Sequence, residues 1–275
     1  MGSVFSPYYA WARRQGRPDP LHHCALNVAL YGRAGPSWSC TERGRSRLDR
    51  AADGLQIGPS SLSWVGSALE IRIDEVTAPL PSRLRGIVRL HPPAISDHVF
   101  DLDAAGLHRW WPMAPCARVE VALDSPDLRW SGHGYLDSND GDEPLADAFA
   151  HWHWSRAALP GGTAVLYDVT RRTGEKASVA LRFGPSGQVT DEEPPAAAAL
   201  PRSLWRVSRE TRADAGHAPA VRHTLEDGPF YARSVLRSRL FGENVTAMHE
   251  SLSLDRFRAP WVQAMLPFRM PRRPG

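Results

Sequence analysis

Leu69-Glu70-Ile71-Arg72-Ile73-Asp74-Glu75-Val76 decides the fold class. Apolar and charged residues alternate along it, so one set faces a core and the other faces water, as on a half-buried β-strand. The same period of two recurs at Leu84–Leu90, Arg118–Leu123, Thr163–Val169, Ser178–Phe183, Ser203–Ser208, Phe230–Leu240 and Val245–Leu252. Turn residues separate these runs: Gly58-Pro59, Gly161-Gly162, Gly184-Pro185-Ser186-Gly187 and Asp227-Gly228-Pro229. Many short strands punctuated by Gly and Pro predict an all-β protein of barrels or sandwiches.

Helix is scarce. Glu143–Trp154 reads as one, with Pro144 near its first turn and Leu145, Phe149 and Trp152 on one side. Asp255–Met265 reads as a short second helix, and Asp191–Pro201, rich in Glu, Pro and Ala, as a loop. The helical stretch and Gly161-Gly162 suggest a division into two β units, 1–155 and 156–275.

Composition narrows the function classes. The chain has 275 residues, 42% of them hydrophobic and 23% charged, which is ordinary for a globular protein with ample core. The net charge of +3 comes almost wholly from arginine, since Lys176 is the only lysine. No basic cluster has the footprint of a nucleic-acid binder, so no nucleic-acid partner is expected. Cys24, Cys40 and Cys116 are far apart and odd in number, which argues against a disulfide framework or a zinc site. No apolar run reaches the length of a membrane span.

The stretch Arg129–Asn139 also alternates, which puts His133, Tyr135 and Asp137 on one face of a strand. In His108-Arg109-Trp110-Trp111-Pro112, His108 and Trp110 share a face. An acid, a phenol, imidazoles and an indole make a poor core and a plausible active site. Each has a plainer reading: Asp137 as the cap of the turn Ser138-Asn139-Asp140-Gly141, Tyr135 as a buried phenol, Trp110 and Trp111 as packing. Asp137, Asp140, Asp142 and Glu143 do not fit a calcium loop, because Gly141 stands fifth and Ala148 twelfth. No metal site is expected. Neither a Gly-x-Ser-x-Gly elbow nor a phosphate-binding loop occurs, and nothing demands a cofactor.

Gly2–Tyr9, Asn27–Gly32, Thr41–Arg45, Ile73-Asp74-Glu75, Trp130–Asn139, Gly162–Asp168 and Met265–Met270 form a further set of distinctive segments. Through them the chain resembles the carotenoid 1,2-hydratases of purple photosynthetic bacteria. The resemblance implies tandem lipocalin-like (calycin) units and cofactor-free addition of water to the terminal 1,2 double bond of acyclic carotenoids. It places the essential His and Trp at His108 and Trp110, and the Tyr and Asp at Tyr135 and Asp137. Their expected roles are Asp137 as acid, Trp110 as support for a carbocation, Tyr135 as a second such ring or a holder of the Asp137 proton, and His108 as acceptor of the water proton. His133, Trp111, Trp154 and Tyr167 are expected to bind substrate. Two positions depart from the family pattern: Asp140 replaces an expected Trp, and His153 an expected Asp.

Longer members carry a strand-rich segment before the position of Gly2, so the resemblance also implies upstream sequence. A carotenoid substrate implies a cytoplasmic protein peripheral to the inner or intracytoplasmic membrane. Arg269, Arg272 and Arg273 around Phe268 and Met270 offer a basic, apolar tail for lipid headgroups, or simply a frayed end. The oligomeric state stays open. So do two rival functions on the same scaffold: a non-catalytic lipid carrier, and an isomerase or cyclase acting on another terpenoid.

Overall fold

A computed structural model describes residues 4–32 and 36–273. Gly2 and Ser3 of the first resemblance segment, and the last two residues of the tail, lie outside the described residues. The chain forms two compact units, each discontinuous in sequence. One takes residues up to 92, 118–134 and 263 onward; the other takes 93–117 and 135–262. The expected division at 155/156 falls inside the continuous strand Phe149–Leu159, which pairs along both edges and cannot be cut there.

The first unit is built on a seven-stranded antiparallel meander. Its order is Asp127–His133, Arg118–Ser125, Arg83–His91, Ala68–Val76, Ser60–Val65, Gly54–Ile57 and Leu48–Arg50. Leu69 and Ile73 are buried as the alternation requires. So is Glu75, on the same face; it accepts from the buried Arg43 guanidinium at 2.7 Å and from Ser60 at 2.7 Å, so its charge is compensated. Gly86 (φ 147°) crosses Leu123 so closely that a Cβ would stand 2.4 Å from the Leu123 Cα, and only glycine fits.

The second unit has a seven-stranded sheet in the order Val189–Asp191, Lys176–Phe183, Gly162–Arg171, Phe149–Leu159, Glu243–Ser253, Tyr231–Leu240 and Ala220–Asp227. One face carries an apolar core of Ala157, Ala164, Leu166, Leu236, Leu240 and Ala247. Against the other face, through ring contacts, lies a three-stranded sheet of Leu136–Gly141, His108–Ala114 and Phe100–Asp101. The fold is all-β, as the periodicity predicts.

Four local expectations fail. Residues 143–154 are not a helix: one turn, Leu145–Ala148, runs into the strand at Phe149. The spacing of Leu145, Phe149 and Trp152 mimics a helical stripe. The alternation His151-Trp152-His153-Trp154 and pairing to strands on both sides decide for extended backbone. The second helix is two pieces, Leu254–Phe257 and Pro260–Met265, because a residue before proline resists the α conformation. Ala196–Leu200, expected as loop, is a strand paired to Arg209–Ala213. Ser203–Ser208, expected as strand, is instead the turn region joining them. Among the described residues no helix is long and apolar enough to cross a membrane.

Candidate active site

The Arg129–Asn139 stretch is not one strand. It breaks at Gly134, where a Cβ would meet Leu90 Cδ1 at 2.5 Å, and the chain leaves one sheet for another. His133 ends Asp127–His133 in the first unit and is exposed. It therefore does not share a face with Tyr135 and Asp137, which belong to the second unit. The alternation could not reveal this, because a glycine within a period-two run scores as continuous.

Beyond the break, Tyr135 and Asp137 do face one way. The Asp137 carboxyl receives two hydrogen bonds, both on Oδ2: from Trp110 Nε1 at 2.9 Å and from the Tyr135 hydroxyl at 2.9 Å. Burial raises its pKa, since a desolvated carboxylate is costly, and the negative charge of Glu250 adds to the rise. The two hydrogen bonds oppose the rise without cancelling it. Tyr135 itself is pushed well up, by burial first and then by the Asp137 charge, so its hydroxyl remains a donor.

Trp110 has no exposed surface. It sits between Phe100 (ring centroids 5.5 Å apart) and Tyr167 (5.1 Å), on a strand paired to the one bearing Asp137. Tyr167 in turn packs on Trp152 at 5.0 Å and donates to Asn139 Oδ1 at 3.0 Å. Tyr135 packs on Trp154 at 5.2 Å. A cavity of about 430 Å³ lies beside these rings. Its wall contains Tyr135, Asp137, Trp152, Trp154 and Tyr167, with Arg233 and Glu250 at hand.

His108 is buried on the same face of its strand as Trp110, as the sequence suggests, but it is not part of the cavity wall. Its Nδ1 bonds Asp103 Oδ2 at 2.9 Å, its ring meets Phe149 edge-on at 4.8 Å, and its buried Nε2 has no partner. Burial alone would raise the Asp103 carboxyl. The His108 bond and the amides of Leu107 and Ala105 outweigh that and hold it low, so Asp103 is a charged anchor for the imidazole. Trp111 points the opposite way from Trp110 and donates to the Ser96 carbonyl at 2.6 Å. It is not a wall residue.

The two departures from the family pattern also lie off the wall. Asp140 is ion-paired with Arg109 (Nε to Oδ1, 2.7 Å). His153 lies on the other face of its strand from Trp152 and Trp154, bonded to Ser251 Oγ at 2.9 Å. The sequence reading missed Trp152, Arg233, Met248 and Glu250. Met248 and Glu250 share parity within the run Val245–Leu252, but parity alone does not say which face of a sheet is covered by aromatic rings.

The carotenoid hydratase CrtC family profile matches residues 1–275. An acyclic carotenoid 1,2-hydratase of Thiocapsa roseopersicina is 61% identical over 99% of this chain and 67% of its own length. Its counterpart in Rubrivivax gelatinosus is 51% identical over 99% of this chain and 68% of its length. That of Cereibacter sphaeroides is 41% identical over the whole chain and 97% of its length. Among solved structures, a Nitrosomonas europaea protein described as an AttH candidate superposes with a TM-score of 0.57 at 14% identity, covering 82% of this chain and 80% of that one. That likeness shows a shared fold alone. Along its whole length, the chain belongs to the carotenoid hydratase family.

Proposed function

We propose that this protein adds water across the terminal 1,2 double bond of acyclic carotenoids, with Asp137 as the acid. An isolated trisubstituted alkene accepts a proton only from an acid stronger than water. A carboxyl group kept neutral by burial supplies one. The observation that carries the reading is the pair of donors on Asp137 Oδ2, from Trp110 and Tyr135. An oxygen that accepts twice is the carbonyl-like one, so the acidic hydrogen belongs on Oδ1, which receives neither bond.

Protonation at C2 leaves a tertiary cation at C1. The rings on the cavity wall, Tyr135, Trp152, Trp154 and Tyr167, supply electron-rich surface without a strong nucleophile. Trp110 is then a donor that aims Asp137 rather than the platform beneath the cation. A cavity of about 430 Å³ suits the end of a long polyene rather than its whole length, which agrees with attack on a terminal bond.

Purified protein incubated with lycopene in detergent should yield a product heavier by one water, and Asp137→Asn should yield none. A wild-type protein that binds lycopene without converting it would make the chain a carrier. An isomer of unchanged mass would make it an isomerase or cyclase.

The substrate dissolves in lipid, and we place the lipid contact of this chain on the 203–207 turn. Leu204 is 93% exposed, and the partly exposed Trp205 stacks on Trp261 at 6.2 Å. Exposed Arg202, Arg206 and Arg258 accompany them, suited to anionic headgroups. The Asp227 carboxylate accepts from the Leu204 and Trp205 amides, and holds the turn in shape. Vesicles of anionic phospholipid should sediment the wild type more strongly than a Leu204→Ser, Trp205→Ser double variant. Equal sedimentation overturns this placement.

A further inference from the structure

Hydration moves two protons, and the acid accounts for only one. When water captures the C1 cation, the oxygen must shed a proton, and a water that attacks from the side away from Asp137 needs a second group to take it. His108, the expected acceptor, lies off the cavity wall with Nδ1 committed to Asp103. Besides Asp137, the wall holds one other acid, Glu250.

Glu250 is built into the sheet face that carries the aromatic wall. Its direct cross-strand partners are Trp154 on one side and Arg233 on the other. Arg233 Nη2 donates to Glu250 Oε1 at 2.6 Å, and Arg233 Nε donates to the Tyr231 hydroxyl at 2.8 Å. Two carboxyls thus line one cavity with different partners: Glu250 meets the Arg233 guanidinium, and Asp137 meets the neutral donors of Trp110 and Tyr135. Paired carboxyls in different surroundings divide the acid and base roles. Glu250 also acts on Asp137 directly, since its charge helps to hold the Asp137 proton in place.

We propose that Glu250 is the catalytic base that positions the attacking water and takes its proton. This rests on the hydration reading above. The Asp137 O–H bond breaks while the alkene π pair forms the new C2–H bond. A water lone pair then forms the C1–O bond, the second O–H bond of that water breaks, and its electron pair stays on oxygen as the proton passes to Glu250. Asp137 ends as carboxylate and Glu250 as acid. Solvent carries the proton back from Glu250 to Asp137, and the net change is one water added to one double bond.

The test runs the reaction with lycopene in D₂O and reads two things: the alcohol formed and the deuterium in recovered lycopene. If Glu250 serves the water step, Glu250→Gln still receives a deuteron at C2 from Asp137. Its cation is not captured, collapses by losing hydrogen from C2, and returns labelled alkene. Hydration should fall about 100-fold, in the range a general base contributes, while recovered substrate gains deuterium beyond the wild-type level. Unchanged hydration overturns the proposal. So does a parallel fall of hydration and labelling, the mark of a residue that only shapes the cavity. Should the amide variant fail to fold, Glu250→Asp carries the same test, with slower hydration and excess label expected. A wild type that neither hydrates nor labels lycopene defeats the hydratase reading itself, which is a different result from any of these.

Discussion

Tyr135 donates its phenol hydrogen to Asp137, two residues further along the chain, at 2.9 Å. Residues two apart on extended backbone share a face, so the bond needs no long-range fit. It favours the charged form of Asp137, against the larger effect of burial. Tyr135→Phe keeps the ring against Trp154 and removes only that donor. The Asp137 pKa should then rise further. A group active as the neutral acid fails as pH climbs through its pKa, so the alkaline limb of the hydration profile should move to higher pH. Loss of one positioning bond, worth about 1 kcal/mol, should lower kcat by roughly tenfold at most. A limb that stays in place sinks the assignment of Asp137 as the titrating acid.

Asp137→Asn keeps the shape of the side chain, and its amide oxygen can still accept from Trp110 and Tyr135. It has no proton of comparable acidity to give. Turnover should drop by about 10³-fold or more, in the range of a lost general acid, with the thermal midpoint close to wild type. A stable variant that hydrates lycopene at near the normal rate means that another group is the acid.

His249 and His153 face the interior behind the aromatic wall and are stacked at 6.2 Å, linked through Ser251. Desolvation pushes the His249 pKa down to about 3 and that of His153 to about 4. In the unfolded chain each would take up a proton near pH 6.5. The unfolded state therefore binds more protons between about pH 6.5 and 4, and stability should fall as pH drops through that window. At about 1.4 kcal/mol per pKa unit, the loss by pH 4 amounts to several kcal/mol. Asp137 works against it, because its raised pKa favours the folded state on acidification. Urea melts at pH 7 and pH 5 should show the drop, and His249→Gln should flatten it. A slope unchanged by that substitution removes His249 from the account.

Much of this arrangement is legible in the sequence, for a physical reason. Period two survives wherever a strand has one wet and one dry face. Residues 69–76, 84–90 and 163–169 are therefore found close to their true limits. Same-face neighbours on one strand, His108 with Trp110 and Tyr135 with Asp137, are legible too. Position relative to the cavity is not, because it depends on which sheet covers which face. For that reason the sequence does not show that His108 and Trp111 lie off the cavity wall, or that Glu250 lies on it. Nor does the sequence show the close approach at Gly134, because the side chain that a Cβ there would meet, that of Leu90, is remote in the chain.

Two of the C-terminal arginines, Arg269 and Arg272, make contacts within the fold. Arg269 lies over the Trp38 ring at 4.4 Å, and its carbonyl accepts from Trp38 Nε1 at 3.0 Å. The Arg272–Arg273 strand pairs in parallel with Glu42-Arg43. Arg272 forms an ion pair with the fully buried Glu42, which also accepts from Ser6 and bonds His23 Nδ1 at 2.8 Å. Three of the segments that carry the family resemblance meet here: Ser6 on Glu42, and Glu75 through Arg43. Removing one partner of a buried ion pair leaves the other charge uncompensated, at a cost of about 3 kcal/mol or more. Arg272→Ala should therefore lower the unfolding midpoint by several degrees and leave sedimentation with anionic vesicles unchanged. A variant as stable as wild type that has lost vesicle binding would return the tail to the membrane and remove it from the fold.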